Sequence, residues 1–262
     1  MIVATAGHVD HGKSTIVRRL TGTDPDRWAE ERERGLTLDL GFAWTLLPSG
    51  RTVAFVDVPG HRRYVANALA GTAAVDGVLL AVSAREGWRA QTEEHVAMLE
   101  LGGAPTGVVA LTFADAVDGP TLRNARAAVA ARLEGTFLEG AEIVPTRADG
   151  RRDGALRRAL DDAVAACPTA LDTGRPRLWI DRSFLLDGVG RVVTGTLTGG
   201  SVAVGDHVDA VEGAGATPLR IRSARRNGRP VERATPGGRV ALAVRAGGPA
   251  PRRGAAVVRR AQ

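Results

Sequence analysis

Short apolar runs punctuate the first two thirds of the chain: Ile2 to Thr5, Thr52 to Val56, Gly77 to Val82, Gly107 to Thr112 and Glu142 to Pro145. Between them lie longer segments of good helix propensity, such as Thr15 to Leu20, Asn124 to Leu133 and Asp153 to Ala166. Buried strands alternating with helices predict an α/β domain over residues 1–166, a mostly parallel, doubly wound sheet with helices on both faces. Residues 167–176, with two prolines and a glycine and no apolar period, read as a linker. Beyond it the pattern changes to short runs separated by glycine-rich turns, Leu178 to Ile180, Arg191 to Thr196 and Arg239 to Val244 among them. This predicts a small β-barrel over 177–262. The last 16 residues, rich in Gly, Pro and Arg, are expected to be loosely ordered.

With 262 residues, 44% of them apolar, the chain can bury full cores. It has no apolar run of membrane-spanning length and no charged-then-apolar leader, so a cytoplasmic protein is expected. The single cysteine, Cys167, makes no internal disulfide and has no ligand-like neighbours; it is assigned no function. The net charge of +6 is unevenly shared. Residues 1–173 carry 19 cations against 23 acids, and residues 174–262 carry 16 arginines against 6 acids. The second half therefore suits a polyanion, RNA being the natural candidate. Its densest stretch, Arg220 to Arg229, has no aromatic residue, so it would meet phosphates rather than stack on bases. It reads equally well as a solvated hairpin.

One lysine stands against 34 arginines, and it lies in Gly7-His8-Val9-Asp10-His11-Gly12-Lys13-Ser14-Thr15. This matches the phosphate-loop pattern G-x-x-x-x-G-K-[ST], set between the run Ile2-Val3-Ala4 and a helix-like segment. A compact ammonium threads between two phosphates where a planar guanidinium does not fit. The loop's N–H groups and the helix start favour anionic oxygens, and Ser14 would place its hydroxyl on Mg²⁺. Asp57 closes a strand-like run ahead of Val58-Pro59-Gly60-His61. It would reach Mg²⁺ through water, Gly60 would donate its N–H to a γ phosphate, and His61 would orient an attacking water. Thr37, after Arg34-Gly35-Leu36, would close on Mg²⁺ and the γ phosphate from a polar loop.

Together with the Arg-Gly-x-Thr segment, these motifs resemble the translational GTPases. The segments Leu20 to Arg27 and Glu33 to Phe42 are similar to the selenocysteine-specific elongation factors rather than to EF-Tu, as are Gln91-Thr92-x-Glu94-His95, Ile180 to Phe184 and Gly188 to Thr196. The resemblance implies a P-loop GTPase domain and an EF-Tu-type barrel. It implies binding of GTP and Mg²⁺, hydrolysis of GTP, and selenocysteinyl-tRNA and the ribosome as partners, with no membrane. Asp181, Arg182 and Arg239 match positions that it associates with the aminoacyl pocket, where arginine would favour an ionised selenol; a structural ion pair between strand ends is the other reading. The sequence stops soon after the barrel, at what resembles the start of a third domain. The winged-helix modules that read an mRNA hairpin in this family do not follow, so the sequence reads either as a fragment or as a shortened protein, and hairpin recognition is doubtful.

Two positions depart from the family. Its Asn/Thr-Lys-x-Asp motif appears as Thr112-Phe113-Ala114-Asp115, and its Ser-Ala as Arg147-Ala148. Asp115 can still accept from guanine N1–H and the exocyclic amine, and Ala148 can offer its N–H to guanine O6. Binding that is weaker but guanine-selective is expected, with Phe113 stacking where lysine methylenes would lie. Two other readings are a nucleotide- and RNA-binding module that no longer catalyses and a general EF-Tu-like factor.

Overall fold

The computed structural model describes residues 1–23, 41–57, 75–150, 153–167 and 170–260. They fall into two compact units, Met1–Pro168 and Thr169–Gln262.

The first unit is built on six strands: β1 (Ile2–Ala6), β2 (Gly41–Leu46), β3 (Thr52–Asp57), β4 (Gly77–Ser83), β5 (Gly107–Thr112) and β6 (Ile143–Pro145). Their order is β2-β3-β1-β4-β5-β6, all parallel except the antiparallel β2–β3 pair. Four described helices pack on the sheet: α1 (Lys13–Thr21), α2 (Ala90–Leu101), α3 (Gly119–Leu133) and α4 (Asp153–Ala165). On one face Val96 and Leu99 of α2 join Val129 and Leu133 of α3 over Leu80, Val109 and Leu111. On the other, Ile16 and Leu20 of α1 join Leu156 and Leu160 of α4 over Val3, Phe55 and Leu79. The five apolar runs became the five parallel strands because every residue of β1, β4 and β5 is buried. Helix α3 starts five residues before the propensity signal at Asn124. Asp118 caps it, accepting from Thr121 N–H at 2.8 Å, and Pro120 sits in its first turn.

The second unit contains β7 (Arg177–Leu186), β8 (Gly190–Thr198), β9 (Val202–Ala203), β10 (His207–Glu212), β11 (Gly215–Arg226), β12 (Arg229–Val231), β13 (Arg233–Ala234), β14 (Gly238–Ala246) and β15 (Ala256–Arg259). Six of them run β10-β15-β7-β8-β14-β11, and β11 returns to β10, closing an antiparallel barrel. Leu178, Ile180, Val193, Leu197, Leu219, Leu242 and Val257 fill its interior. Closure leaves these six strands without an open edge. The chain end differs from expectation: β15 pairs with both β10 and β7, and Ala256 and Val257 are buried. The polar, arginine-rich composition concealed a strand whose alternate side chains complete the core. The segment before the barrel is also tied down, since Thr173 and Arg175 both donate N–H to Gly199 O at 3.0 Å.

Candidate nucleotide site

The phosphate loop leaves β1 at Gly7 and ends at Gly12, the residue before α1. Gly7 has φ 121°, and a Cβ there would lie 2.1 Å from Ala81 O of β4, so the loop lies directly on the neighbouring strand. Gly12 has φ 84° and gives α1 no side-chain cap. The first N–H groups of that helix therefore face the loop as anion donors. Lys13 is buried, and its ammonium donates to Gly7 O at 3.1 Å and His8 O at 2.7 Å. Two carbonyl dipoles hold a full positive charge in a water-poor place, where anionic oxygens offer it a stronger partner.

Asp57, at the end of β3, is fully buried, and its Oδ1 accepts from Thr5 Oγ at 2.5 Å. Parallel pairing of β1 with β3 brings this carboxylate beside the root of the loop. With Ser14 in the first turn of α1, it supplies the hard oxygen donors that suit a divalent cation such as Mg²⁺. Lysine, uncapped helix start and oxygen donors together fit a nucleotide's phosphates with their metal. Thr37, Gly60 and His61 lie outside the described residues.

The loop is held from behind, in part by Gln91 and His95, two residues to which the sequence assigned no role at this site. His95 of α2 accepts Gly7 N–H on Nδ1 at 3.1 Å, and Gln91 Oε1 accepts Val9 N–H at 3.2 Å. His95 is 7% exposed, and burial, reinforced by the Lys13 charge, lowers its pKa to about 4. It is therefore neutral, which leaves Nδ1 able to accept. His11, fully buried, is lowered to about 4 mainly by burial and then by His8, whose ring it meets edge-on at 5.1 Å. Its Nδ1 accepts Ser83 N–H at 3.3 Å. Asp10 is exposed with φ 60°, and Thr15 is exposed in the first helical turn. A polar residue ending an apolar strand, Thr5, and a histidine on the buried side of a helix were the available signals.

The base-side residues also converge. Thr112 Oγ donates to His11 O at 3.0 Å and Val82 O at 3.2 Å, so it fastens β5 to the phosphate loop. Phe113 follows in the left-handed region, φ 54°, and its carbonyl accepts Ala116 N–H. The chain turn brings Asp115 to the exposed edge, where both carboxylate oxygens accept Ala148 N–H at 3.3 and 3.4 Å. These are long bonds. The acceptor and donor expected to meet guanine thus lie side by side and meet each other.

In the barrel, Asp181 sits at a bulge of β7, between Ile180 and Arg182. Arg239 of β14 donates to it through both terminal guanidinium nitrogens, one to Oδ1 at 2.9 Å. Thr194 Oγ donates to the same Oδ1 at 2.6 Å. Arg182 lies opposite Thr194 in the β7–β8 register. Three predicted positions are therefore adjacent, two of them as an ion pair.

A phosphate-loop nucleotide-binding domain followed by a small closed barrel is the class that this fold and site define. Residues 1–172 match the elongation factor Tu GTP-binding domain family, and the chain belongs to it. It is 42% identical over 243 residues to the selenocysteine-specific elongation factor of Escherichia coli strain K12, a match that covers 92% of this chain and 39% of the relative. A crystal structure of a bacterial selenocysteine-specific elongation factor, EF-Sec, superposes with a TM-score of 0.89 at 33% identity, covering 99% of this chain and 44% of that one. The elongation factor SelB from Methanococcus maripaludis, in complex with the GTP analogue GppNHp, gives a TM-score of 0.86 at 26% identity, with 99% and 55% covered. The chain spans between a third and two fifths of the length of the curated relatives it matches first. No described helix is long and apolar enough to cross a membrane.

Proposed function

We propose that the chain carries the GTP switch and aminoacyl-binding barrel of a selenocysteine-specific elongation factor, hydrolysing GTP and delivering selenocysteinyl-tRNA to the ribosome in the cytoplasm. The observation that carries the reading is the buried Lys13 ammonium held by loop carbonyls beside the uncapped start of α1. Gly7, His8, Val9, Asp10, His11, Gly12, Lys13, Ser14 and Thr15 wrap the phosphates, with Lys13 between β and γ. Ser14, Thr37 and Asp57 hold Mg²⁺, which when bound offsets phosphate charge during transfer. Gly60 donates to the γ phosphate and His61 orients the attacking water. Thr112 ties β5 to the loop, while Asp115 and Ala148 exchange their mutual bond for guanine's amine and O6. Asp181, Arg182 and Arg239 receive the selenocysteinyl end. Arg239 already pairs with Asp181 through both terminal nitrogens, so in this reading an ionised selenol competes with that carboxylate for the guanidinium.

Calorimetry with non-hydrolysable GTP and ATP analogues and Mg²⁺ tests the nucleotide reading. Guanine preference of about 100-fold or more is expected, and Asp115→Asn should erase it. Equal affinities for both analogues defeat it. A comparison of selenocysteinyl-tRNA with seryl-tRNA on Arg182→Ala tests the pocket, since an undiminished preference removes Arg182 from it.

A second reading, a nucleotide- and RNA-binding module that no longer catalyses, rests on the departures at Phe113 and Arg147 and is not favoured by the similarity to selenocysteine-specific elongation factors. Single-turnover hydrolysis separates the two: phosphate release supports the first, and tight binding without release the second.

A further inference from the structure

A line of basic side chains crosses the outside of the barrel away from the Asp181–Arg239 pair. In the β10–β11 register His207 faces Arg220, and in the β11–β14 register Arg220 faces Arg245, so the three side chains stand on neighbouring strands in one line. All three are exposed. Directly opposed side chains on a sheet have Cβ atoms about 5 Å apart, and like charges so placed repel. The register shift between Ile221 and Ser223 adds Arg222 as an extra, outward residue beside them. Arg220, Arg222 and Arg245 border a depression of about 600 Å³ floored by Val204, Gly205 and Ile221. Among the described residues none of these three arginines makes an ion pair or a side-chain hydrogen bond. Asp206, whose carbonyl accepts Ile221 N–H, turns its carboxylate to Ala203 N–H at 2.9 Å instead. Guanidinium groups gathered around a hollow, with no described carboxylate in ion-pair contact and no aromatic among its lining residues to stack on a base, match phosphates spaced along a backbone.

We infer that the face made by Arg220, Arg222 and Arg245 docks the phosphodiester backbone of RNA, independently of bound nucleotide and of the aminoacyl end. The inference extends the proposed role in translation but stands on this face alone. Arg245 lies six residues from Arg239 along β14, about 20 Å away on an extended strand, so one group of atoms does not serve both places. The binding is electrostatic and indifferent to sequence.

The test uses the whole 262-residue chain and a fluorescein-labelled RNA duplex without an aminoacyl group, followed by anisotropy across salt concentrations. The Arg220→Ala/Arg222→Ala/Arg245→Ala variant is compared with Arg123→Ala/Arg126→Ala/Arg158→Ala, which removes equal charge from exposed helix positions of the first unit. The barrel variant should bind roughly ten- to a hundredfold more weakly, with the slope of log K against log salt reduced by about 2. A barrel unfolding transition matching the parent's in the same sample shows that the mutated unit is folded. Equal losses in the two variants overturn the inference, as does poly-L-glutamate competing as well as unlabelled RNA, which would mark an acidic protein partner. RNA binding that persists in a chain unable to bind GTP leaves this face standing and sinks only the switch.

Discussion

A neutral imidazole is what holds the phosphate loop from behind. Gly7 N–H donates to His95 Nδ1, 88 residues away, and a proton on that nitrogen would end the bond. His95→Ala leaves the buried N–H unanswered, at a cost of about 1–3 kcal/mol. Guanine-nucleotide affinity should fall roughly tenfold with it, and His95→Asn, whose amide oxygen can accept, should recover part of the loss. Calorimetric titration of the three proteins checks this, and equal affinities in all three remove His95 from the loop's support. The acid side has a fixed sign. The folded His95 has its pKa lowered from 6.5 to about 4, so the unfolded chain takes up its proton first. Stability contributed by the neutral form is complete above pH about 6.5 and declines as pH falls toward about 4, by roughly 3 kcal/mol for a shift of this size. Urea unfolding across that range should show a shallower decline in His95→Ala than in the parent, with His11 supplying what remains. Nothing in the order of residues announces this contact, because the helix that carries His95 must first pack beside β1. Lys13, by contrast, was legible from spacing alone, since the loop that constrains it is contiguous. Phe113 shows the opposite limit: its side chain suggested stacking, while its backbone turned left-handed where β5 ends, which a residue type does not reveal.

Two glycines set how closely elements approach. At Gly7 the loop touches β4, and an alanine Cβ would fall 2.1 Å from Ala81 O in a backbone region with φ 121°. Gly7→Ala must shift either the loop or the strand. It should cost more than about 3 kcal/mol and lower nucleotide affinity by at least about a hundredfold. At Gly195 of β8 an added Cβ would lie 2.0 Å from Trp179 O, next to the β7 bulge that presents Asp181. Gly195→Ala should unfold the barrel or abolish the bulge, and a chemical-denaturation midpoint equal to the parent's would contradict both. The elements themselves were legible in proportion to how uniformly they are buried. β1, β4 and β5, buried along their whole length, stood out as apolar runs. β2 did not, because it is the antiparallel edge strand with Trp44 and Leu46 exposed. α2 was not seen as a helix because its buried side includes Thr92 and His95, polar residues whose reason for burial is the loop they face. β15 was hidden by arginines flanking a four-residue strand that only the closed barrel requires.

The two units hold separate cores, and their charges are opposed, acidic in the nucleotide-binding unit and basic in the barrel. Nucleotide contacts proposed here fall within the first unit, so binding should stabilise that unit and not the other. At a free concentration 100 times the dissociation constant, a ligand specific to the folded form adds about 2.7 kcal/mol. Scanning calorimetry with a non-hydrolysable GTP analogue and Mg²⁺ should therefore raise one transition by several degrees, about 2–4 °C per kcal/mol for a unit of this size, and leave a second in place. RNA should do the reverse at low salt, raising the barrel transition and losing that effect as salt screens the arginine row. A single transition moved equally by both ligands would mean that the units unfold as one. Only a shift with both ligands present that departs from the sum of their separate shifts would then report coupling, in which case GTP alters RNA affinity by the same factor that RNA alters GTP affinity. Two transitions answering to different ligands would instead make the barrel's arginine face a constant anchor, on RNA before and after the nucleotide changes.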